Sequence, residues 1–212
     1  MTLVVDRFEL GPIGTNCYVV RGAPTAAEAV VIDPGSDPSA LELELARLST
    51  SCAGILVTHG HYDHVGAVAD LAEELGVDVW MPELDSPMLE RYDEFAPPGT
   101  GGRPYVPDVK LAGDETIELA GVTFETIPVP GHTRGHVAFL AGGCLFSGDL
   151  LFAGSVGRVD LPGGDWETLL DSVRRLADRL PTDTVVYPGH GPKTTLGYEL
   201  DRNPFLAELR AS

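Results

Sequence analysis

Short apolar runs, separated by Gly, Pro and Asp, dominate the first part of the chain. Runs of this length bounded by turn residues predict buried β-strands, and leucines at helical spacing predict helices. The predicted elements of this part are strands over residues 17–20, 29–32, 54–57 and 77–81 and helices over residues 38–48 and 65–75. Gly76 marks the end of the second helix, because glycine readily takes the left-handed conformation that ends a helix.

The second half repeats this pattern after a stretch rich in Pro and Gly. Residues 82–108 predict an irregular excursion with one short helix. The predicted elements beyond it are strands over residues 116–119, 122–129, 137–140, 144–147 and 184–187 and helices over residues 166–180 and 197–209, the last interrupted near Asn203-Pro204. Helices interspersed irregularly between strands favour an α+β fold in which two sheets are flanked by helices. We expect a single domain over residues 1–212.

Composition and charge narrow the class of protein. The apolar fraction of 43% and the charged fraction of 22% are ordinary for a globular protein. A formal net charge of −18, from 14 basic and 32 acidic residues, argues against a nucleic-acid partner, because such proteins usually present a basic face. The chain shows neither an apolar run as long as a membrane span nor the pattern of a signal peptide. With three cysteines and no C-x-x-C pair, we expect a cytoplasmic protein with reduced thiols. Because no apolar run is as long as a membrane span, we expect no membrane partner.

The six histidines fall in three places, each after a predicted strand. Three lie in Thr58-His59-Gly60-His61-Tyr62-Asp63-His64, two in Pro130-Gly131-His132-Thr133-Arg134-Gly135-His136, and the last in Pro188-Gly189-His190-Gly191. Asp149 follows a further strand in Ser147-Gly148-Asp149. Neighbouring glycines let the backbone approach a bound ion closely, and functional side chains gather on loops of this kind. The pattern therefore indicates a metal site.

The number of imidazole and carboxylate groups indicates two metal ions. A tight loop can aim His59 and His61 at one point, while Asp63 and His64, at the start of a helix, aim at a neighbouring point. These donors suit Zn²⁺, with Fe or Mn as alternatives. The candidates exceed what a closed, four-coordinate structural site needs, so two metals that share a carboxylate account for them better. The candidate ligands are His59, His61, Asp63, His64, His132, Asp149 and His190.

Two further polar residues are predicted to support these ligands. His136 would be an additional ligand, so we expect it to pack against a neighbouring ligand or to orient it. Asp33 is expected to bond backbone amides near the site. A serine nucleophile is disfavoured, because the G-x-S-x-G motif is missing and only His136 is left for a catalytic triad.

At these motifs the chain resembles the metallo-β-lactamase superfamily, and within it the short bacterial glyoxalase II (hydroxyacylglutathione hydrolase)-like branch. The resemblance extends from Thr15-Asn16-Cys17-Tyr18 to Asn203-Pro204-Phe205. It implies a four-layer αββα sandwich with two mixed sheets and with the metals at one edge between them. It also implies a first metal on His59, His61 and His132, a second metal on Asp63, His64 and His190, and Asp149 as the bridge.

The resemblance further implies a metal-dependent hydrolase of small thioesters, with S-lactoylglutathione or a related acyl-thiol as substrate. A metal-bridging hydroxide would attack the carbonyl, and Asp63 and Asp149 would be the catalytic residues. A thiolate leaves readily, since the pKa of a thiol is about 8.5, so a strong general acid is not required. Arg158 is a candidate contact for an anionic part of the substrate, with an ordinary surface arginine as the alternative.

Relatives with other activities leave alternatives open. Class B β-lactamases lack a bridging carboxylate at the position of Asp149, which disfavours antibiotic hydrolysis. Longer glyoxalase II enzymes grip glutathione with an extended C-terminal region, and this chain ends soon after the His190 motif, so the thiol carrier stays open. The enzymatic alternatives are a persulfide dioxygenase with one iron and a lactonase of the same fold. The non-enzymatic alternative is a metal-binding module.

Overall fold

The strands form two large sheets and one small hairpin. The computed structural model describes residues 3–211 of the chain. The first sheet contains β1 (Val4–Leu10), β2 (Thr15–Arg21), β3 (Glu28–Ile32), β4 (Ser51–Leu56), β5 (Val79–Pro82) and β6 (Val109–Leu111), in that spatial order. The second contains β7 (Thr116–Leu119), β8 (Val122–Pro128), β9 (Val137–Ala141), β10 (Cys144–Gly148), β13 (Val185–Pro188) and β14 (Thr194–Thr195). The hairpin pairs β11 (Leu151–Phe152) with β12 (Ser155–Val156).

Both sheets mix parallel and antiparallel pairs. In the first sheet β1, β2 and β3 pair antiparallel, whereas β3 to β6 run parallel to their neighbours. The second sheet has the order β14-β13-β10-β9-β8-β7, in which only β10 and β13 pair parallel within the described residues. The predicted α+β class with two mixed sheets is thus confirmed.

The helices begin and end at residues that suit those positions. They are α1 (Pro38–Arg47), α2 (Tyr62–Val65), α3 (Val68–Leu75), α4 (Ser86–Glu90), α5 (Tyr92–Phe95), α6 (Trp166–Arg179), α7 (Leu196–Arg202), α8 (Ala207–Ala211) and a 3-10 helix at Pro204–Leu206. The Asp165 carboxylate caps α6 by accepting a 2.8 Å bond from the Thr168 amide. Gly76, at a φ of 64°, ends α3. In the described part of the chain, the helices are too short or too polar to cross a membrane.

Three apolar clusters, separated by the two sheets, give the molecule four layers. Along β2, Cys17 and Val19 pack under the helices of the first half, whereas Tyr18 and Val20 face the second sheet. Because both faces are covered, every residue of β2 is buried. The outer face of the second sheet packs against the apolar stripe of α6 and against α7. The structure is therefore the αββα sandwich that the resemblance implies.

Several elements differ from those predicted. β1, β6, β14 and the hairpin were not predicted, because they are partly exposed or only two or three residues long and leave no clear apolar pattern. The excursion over residues 82–108 contains two short helices rather than one. The predicted helix over residues 65–75 is divided into α2 and α3. Because α2 begins at Tyr62, the first turn after the histidine loop already carries Asp63 and His64.

Candidate metal centre

The predicted ligands come from loops and helix starts at one edge of the sandwich. His59 and His61 follow β4, and α2 begins directly after His61. His132 lies between β8 and β9, Asp149 directly after β10, and His190 two residues after β13. An isolated bridge between Thr15 and His190 joins the two sheets at this edge. Strands from both halves of the chain therefore deliver their ligands to one place.

The ligand atoms form two adjoining groups. We call the group of His59, His61 and His132 the first half-site, and the group of Asp63, His64 and His190 the second half-site. Within each group the nearest ligand atoms all lie within 4.8 Å of one another. Asp149 lies between the groups, with Oδ1 3.3 Å from His64 Nε2 and Oδ2 3.5 Å from His132 Nε2. This carboxylate is placed to serve both half-sites.

Four buried ligand atoms lack a hydrogen-bond partner. They are the Nε2 atoms of His59, His64 and His132 and the Oδ1 atom of Asp149. A buried polar atom without a partner costs free energy, and native proteins rarely leave several of them together. A divalent cation satisfies imidazole nitrogens and a carboxylate oxygen at once. The residues present therefore fit two metal ions.

The other nitrogen of each of these three imidazoles is held by the protein. His64 Nδ1 donates to Asp33 Oδ2 at 2.9 Å, and His132 Nδ1 donates to the Arg158 carbonyl at 2.7 Å. The Thr58 hydroxyl donates to Asp33 and can accept from His59 Nδ1, which lies 3.0 Å away. With the proton on Nδ1, each Nε2 is free to bind a metal, which is the usual arrangement behind a histidine ligand.

The histidines of the first half-site are neutral at neutral pH. Burial, followed by the neighbouring imidazoles, lowers the pKa of His61 to about 4 and lowers the pKa of His59 well below its usual value. Burial also lowers the pKa of His132, although Asp149 partly opposes the shift. Neutral imidazole is the form that binds metal, so protons compete weakly for this half-site.

The second half-site is rich in negative charge. Burial opposes the ionisation of Asp63, but His64 and a hydrogen bond from His190 lower its pKa to about 2. Burial likewise opposes charge on the histidines, yet Asp149 and Asp63 raise the pKa of His190 to about 9. The same carboxylates, with Asp33, raise the pKa of His64 well above its usual value. Without a cation, protons on these imidazoles balance the carboxylates.

Close packing at Gly189 keeps the half-sites together. A Cβ at this position would lie 2.1 Å from Asp149 Oδ1 and 2.7 Å from His64 Cε1, closer than atoms can approach. The backbone of the His190 loop therefore reaches the shared carboxylate only because residue 189 is glycine.

The structure brings all seven predicted ligands together and places the other three candidates around them. His136 is buried beside the ligands, with its ring centroid 4.9 Å from that of His59. Asp33 accepts from the Thr58 amide, as expected, and also from the side chains of Thr58 and His64. The Arg158 side chain is exposed and pairs with Asp160, while its carbonyl holds His132. Its predicted contact with substrate stays a prediction.

Two supporting residues were not predicted. Thr15 is buried at the start of β2 and donates to Asp63 Oδ2 at 2.8 Å. Asp85 is buried after β5 and bonds both histidine loops. Their partners lie 25 to 50 residues away in the chain, so spacing gave no signal for either contact.

A four-layer sandwich with two adjoining groups of metal-ligating side chains at its edge is typical of a class of metal-dependent hydrolases. The profile of the metallo-beta-lactamase superfamily matches residues 10–190, and the chain belongs to that superfamily. It is 38% identical to the hydroxyacylglutathione hydrolase GloC of Haemophilus influenzae, over 84% of this chain and 87% of that protein. The resemblance seen in the motifs is thereby confirmed.

Two solved structures are also similar. The BLEG-1 B3 metallo-beta-lactamase superposes with a TM-score of 0.89 at 37% identity, covering 96% of this chain and all of that one. The protein TTHA1623, solved in a di-iron-bound form, superposes with a TM-score of 0.81 at 43% identity, covering 95% of this chain and all of that one. Both similarities extend over nearly the whole chain.

Proposed function

We propose that this protein hydrolyses small thioesters at the two adjoining half-sites, with two zinc ions as the metals. The observation that carries the proposal is the position of the buried Asp149 carboxylate, whose Oδ2 oxygen lies 3.5 Å from Nε2 of both His132 in the first half-site and His190 in the second. A shared carboxylate fixes the separation of two cations, as two-metal hydrolysis requires. The similarity to GloC supports a thioester as the substrate class.

The side chains of the site have different roles in such a reaction. Bound cations supply Lewis-acid polarisation of the carbonyl and acidify water at neutral pH. The Asp63 carboxylate, with a pKa of about 2, is ionised at neutral pH, and Thr15 fixes its Oδ2 oxygen. Asp63 is thus placed to bind a cation and to accept a hydrogen bond from the attacking water. His190, whose side chain is 28% exposed, is the ligand of the second half-site nearest to solvent.

The shortage of proton donors favours a thioester over a less activated bond. Every histidine except His136 belongs to the ligand set, and His136 is fully buried, so it cannot reach a leaving group. A thiol has a pKa of about 8.5, so its thiolate leaves without a strong general acid. Phe152, half-buried with its ring edge-on to His190 at 5.9 Å, offers an apolar contact beside the reacting carbonyl.

Thiol release from S-D-lactoylglutathione by zinc-reconstituted protein tests the proposal, with Asp149→Ala and Asp149→Asn as the comparison. Metal polarisation is worth several kcal/mol, and each step of about 1.4 kcal/mol is tenfold, so we expect both variants to lose at least roughly 100-fold in rate. An acyl-coenzyme A thioester tests a second thiol carrier. If the protein holds two zinc ions and releases thiol from neither compound, the proposal is wrong.

β-Lactam hydrolysis is a second candidate although Asp149 disfavours it, because the BLEG-1 B3 metallo-beta-lactamase is 37% identical and superposes closely. Opening of a chromogenic cephalosporin by the same sample, without thiol release from the thioesters, would favour it. Oxygen uptake with glutathione persulfide by an iron-loaded sample would instead point to the dioxygenase alternative. Metal content is measured on each sample, so that a missing metal is not mistaken for a missing activity.

A further inference from the structure

Asp85 lies outside the ligand set but behind both loops of the first half-site. It follows β5 and precedes α4, and it is 1% exposed. Its Oδ2 oxygen accepts from the Gly60 amide at 3.1 Å and from the Thr133 hydroxyl at 2.6 Å. Its Oδ1 oxygen accepts from the Gly135 amide at 2.9 Å. A single buried carboxylate therefore ties together two loops that are far apart in sequence.

Two of the residues that bond Asp85 lie next to ligands in the sequence. Gly60 lies between His59 and His61, and Thr133 directly follows His132. The Asp85 carboxylate thus fixes the backbone between His59 and His61 and the side chain of the residue after His132. None of its bonds in the described structure goes to a residue of the second half-site.

Both loops of the first half-site pack closely against Asp85. A Cβ at Gly60 would lie 2.8 Å from the Asp85 carbonyl oxygen, and a Cβ at Gly135 would lie 2.6 Å from Asp85 Oδ1. Both loops come this close because residues 60 and 135 have no side chain. The contacts therefore require glycine on each loop and an oxygen acceptor between them.

The chemistry of the contacts requires a carboxylate rather than an amide. Burial raises the pKa of Asp85, and the bonds from Thr133, Gly60 and Gly135 oppose that shift. The Gly60 and Gly135 amides can only donate, so a proton on Asp85 would find an acceptor only at the Thr133 hydroxyl, which would then lose its own bond to the carboxylate. An asparagine of the same size would turn an NH₂ group toward a donor and lose at least one of the three bonds.

We infer that Asp85 is a positioning residue for the first metal, which holds His59, His61 and His132 at the spacing that the ion needs. Groups behind the ligands of a metal site fix their orientation without touching the ion. Asp85 does so through the backbone of two loops, whereas Asp33 bonds a ligand imidazole directly. The inference concerns the metal centre alone and holds whichever compound is hydrolysed.

The test uses two single-site backgrounds. His190→Ala keeps the first half-site, and His61→Ala keeps the second. Zinc affinity is measured for each background with and without Asp85→Asn, by competition with a chromophoric chelator. In the His190→Ala background, we expect Asp85→Asn to weaken zinc binding by roughly 10- to 100-fold. In the His61→Ala background, we expect a change of less than about threefold, because Asp85 bonds no part of that half-site.

A general loss of structure is separated from a loss of positioning by two further measurements. Circular dichroism and thermal unfolding of the metal-free proteins report whether Asp85→Asn folds. Should it not fold, Thr133→Val decides the matter, since it removes one hydroxyl donor and leaves the Asp85 carboxylate in place. We expect Thr133→Val to weaken zinc binding in the His190→Ala background only. Equal losses in both backgrounds, or none in either, would overturn the inference.

Discussion

The first half-site contains three histidines and no carboxylate of its own, whereas the second combines Asp63 with His64 and His190. Burial and neighbouring imidazoles lower the pKa of His61 to about 4, whereas Asp149 and Asp63 overcome the effect of burial at His190 and raise its pKa to about 9. The metal affinity of neutral imidazoles depends on how well their orientation and spacing match the geometry that the ion prefers. Clustered carboxylates bind a metal because the cation neutralises their negative charge. One centre therefore combines a half-site that depends on positioning with a half-site that depends on charge.

The groups around the half-sites follow the same division. The ligand imidazoles of the first half-site are held by neutral groups, the Arg158 carbonyl and the Thr58 hydroxyl, and the Asp85 carboxylate bonds only the loops that carry them. The second is held by hydrogen bonds on its charged groups, from Thr15 to Asp63 and from His64 to Asp33. A substitution that changes ligand orientation and one that changes charge should therefore mainly affect different metals.

Removal of both metals is the largest perturbation. We expect complete loss of hydrolysis and a fall in unfolding free energy of about 4 kcal/mol for each metal removed, when metal is present at about 1,000 times its dissociation constant. The carboxylates of Asp63 and Asp149 are then left buried with only protonated imidazoles to balance them. Urea unfolding with and without a chelator measures the difference. A metal-free protein as stable as the loaded one would contradict the two-metal interpretation.

Removal of one half-site separates the two metals. His61→Ala and His190→Ala are each expected to bind one zinc ion instead of two and to lose at least roughly 100-fold in hydrolysis, because polarisation by either cation is worth several kcal/mol. Metal analysis after dialysis gives the stoichiometry, and thiol release gives the rate. The two variants are controls for each other. Either variant retaining two tightly bound ions would show that the half-sites are assigned wrongly.

The sequence predicts most of this centre because its ligands are local. His59, His61, Asp63 and His64 lie within one strand-end motif, and the remaining ligands follow strands that the apolar pattern already predicts. Their convergence at one edge follows from the sheet order, which comes from the family resemblance rather than from any pattern in the chain. The ligand chemistry could therefore be predicted before the geometry.

The supporting contacts could not be predicted in this way. Asp85 lies in a Pro-rich stretch and bonds residues 25 and 50 positions away, and Thr15 bonds a residue 48 positions away. Such contacts depend on how loops pack, which neither helical nor strand periodicity encodes. The edge strand β1 was missed for a related reason, since its residues are only partly buried and form no continuous apolar run.

Two threonine-to-valine substitutions compare the support of the charged second half-site with the support that orients the histidines of the first. Thr15→Val removes the hydroxyl that donates to Asp63 Oδ2, and we expect about tenfold weaker zinc binding at the second half-site. Thr58→Val removes the acceptor for His59 Nδ1, and we expect a similar loss at the first. It also removes a donor to Asp33, the residue that holds His64, so we expect a smaller loss at the second half-site as well. Chelator competition in the His61→Ala and His190→Ala backgrounds measures each site. If both substitutions weaken the second half-site more than the first, or both weaken the first more than the second, the division of support is wrong.

Arg158→Ala is expected to have the smallest effect, and it separates backbone support from side-chain chemistry. His132 is held by the Arg158 carbonyl, which alanine keeps, while the guanidinium is exposed and pairs with Asp160. We therefore expect zinc affinity at the first half-site to change by less than about threefold, as for an ordinary surface substitution. The Michaelis constant for S-D-lactoylglutathione tests the separate prediction that the guanidinium binds an anionic part of the substrate. A raised constant at unchanged zinc affinity would support that contact, an unchanged constant would exclude it, and weakened zinc binding would show that the side chain itself supports the metal.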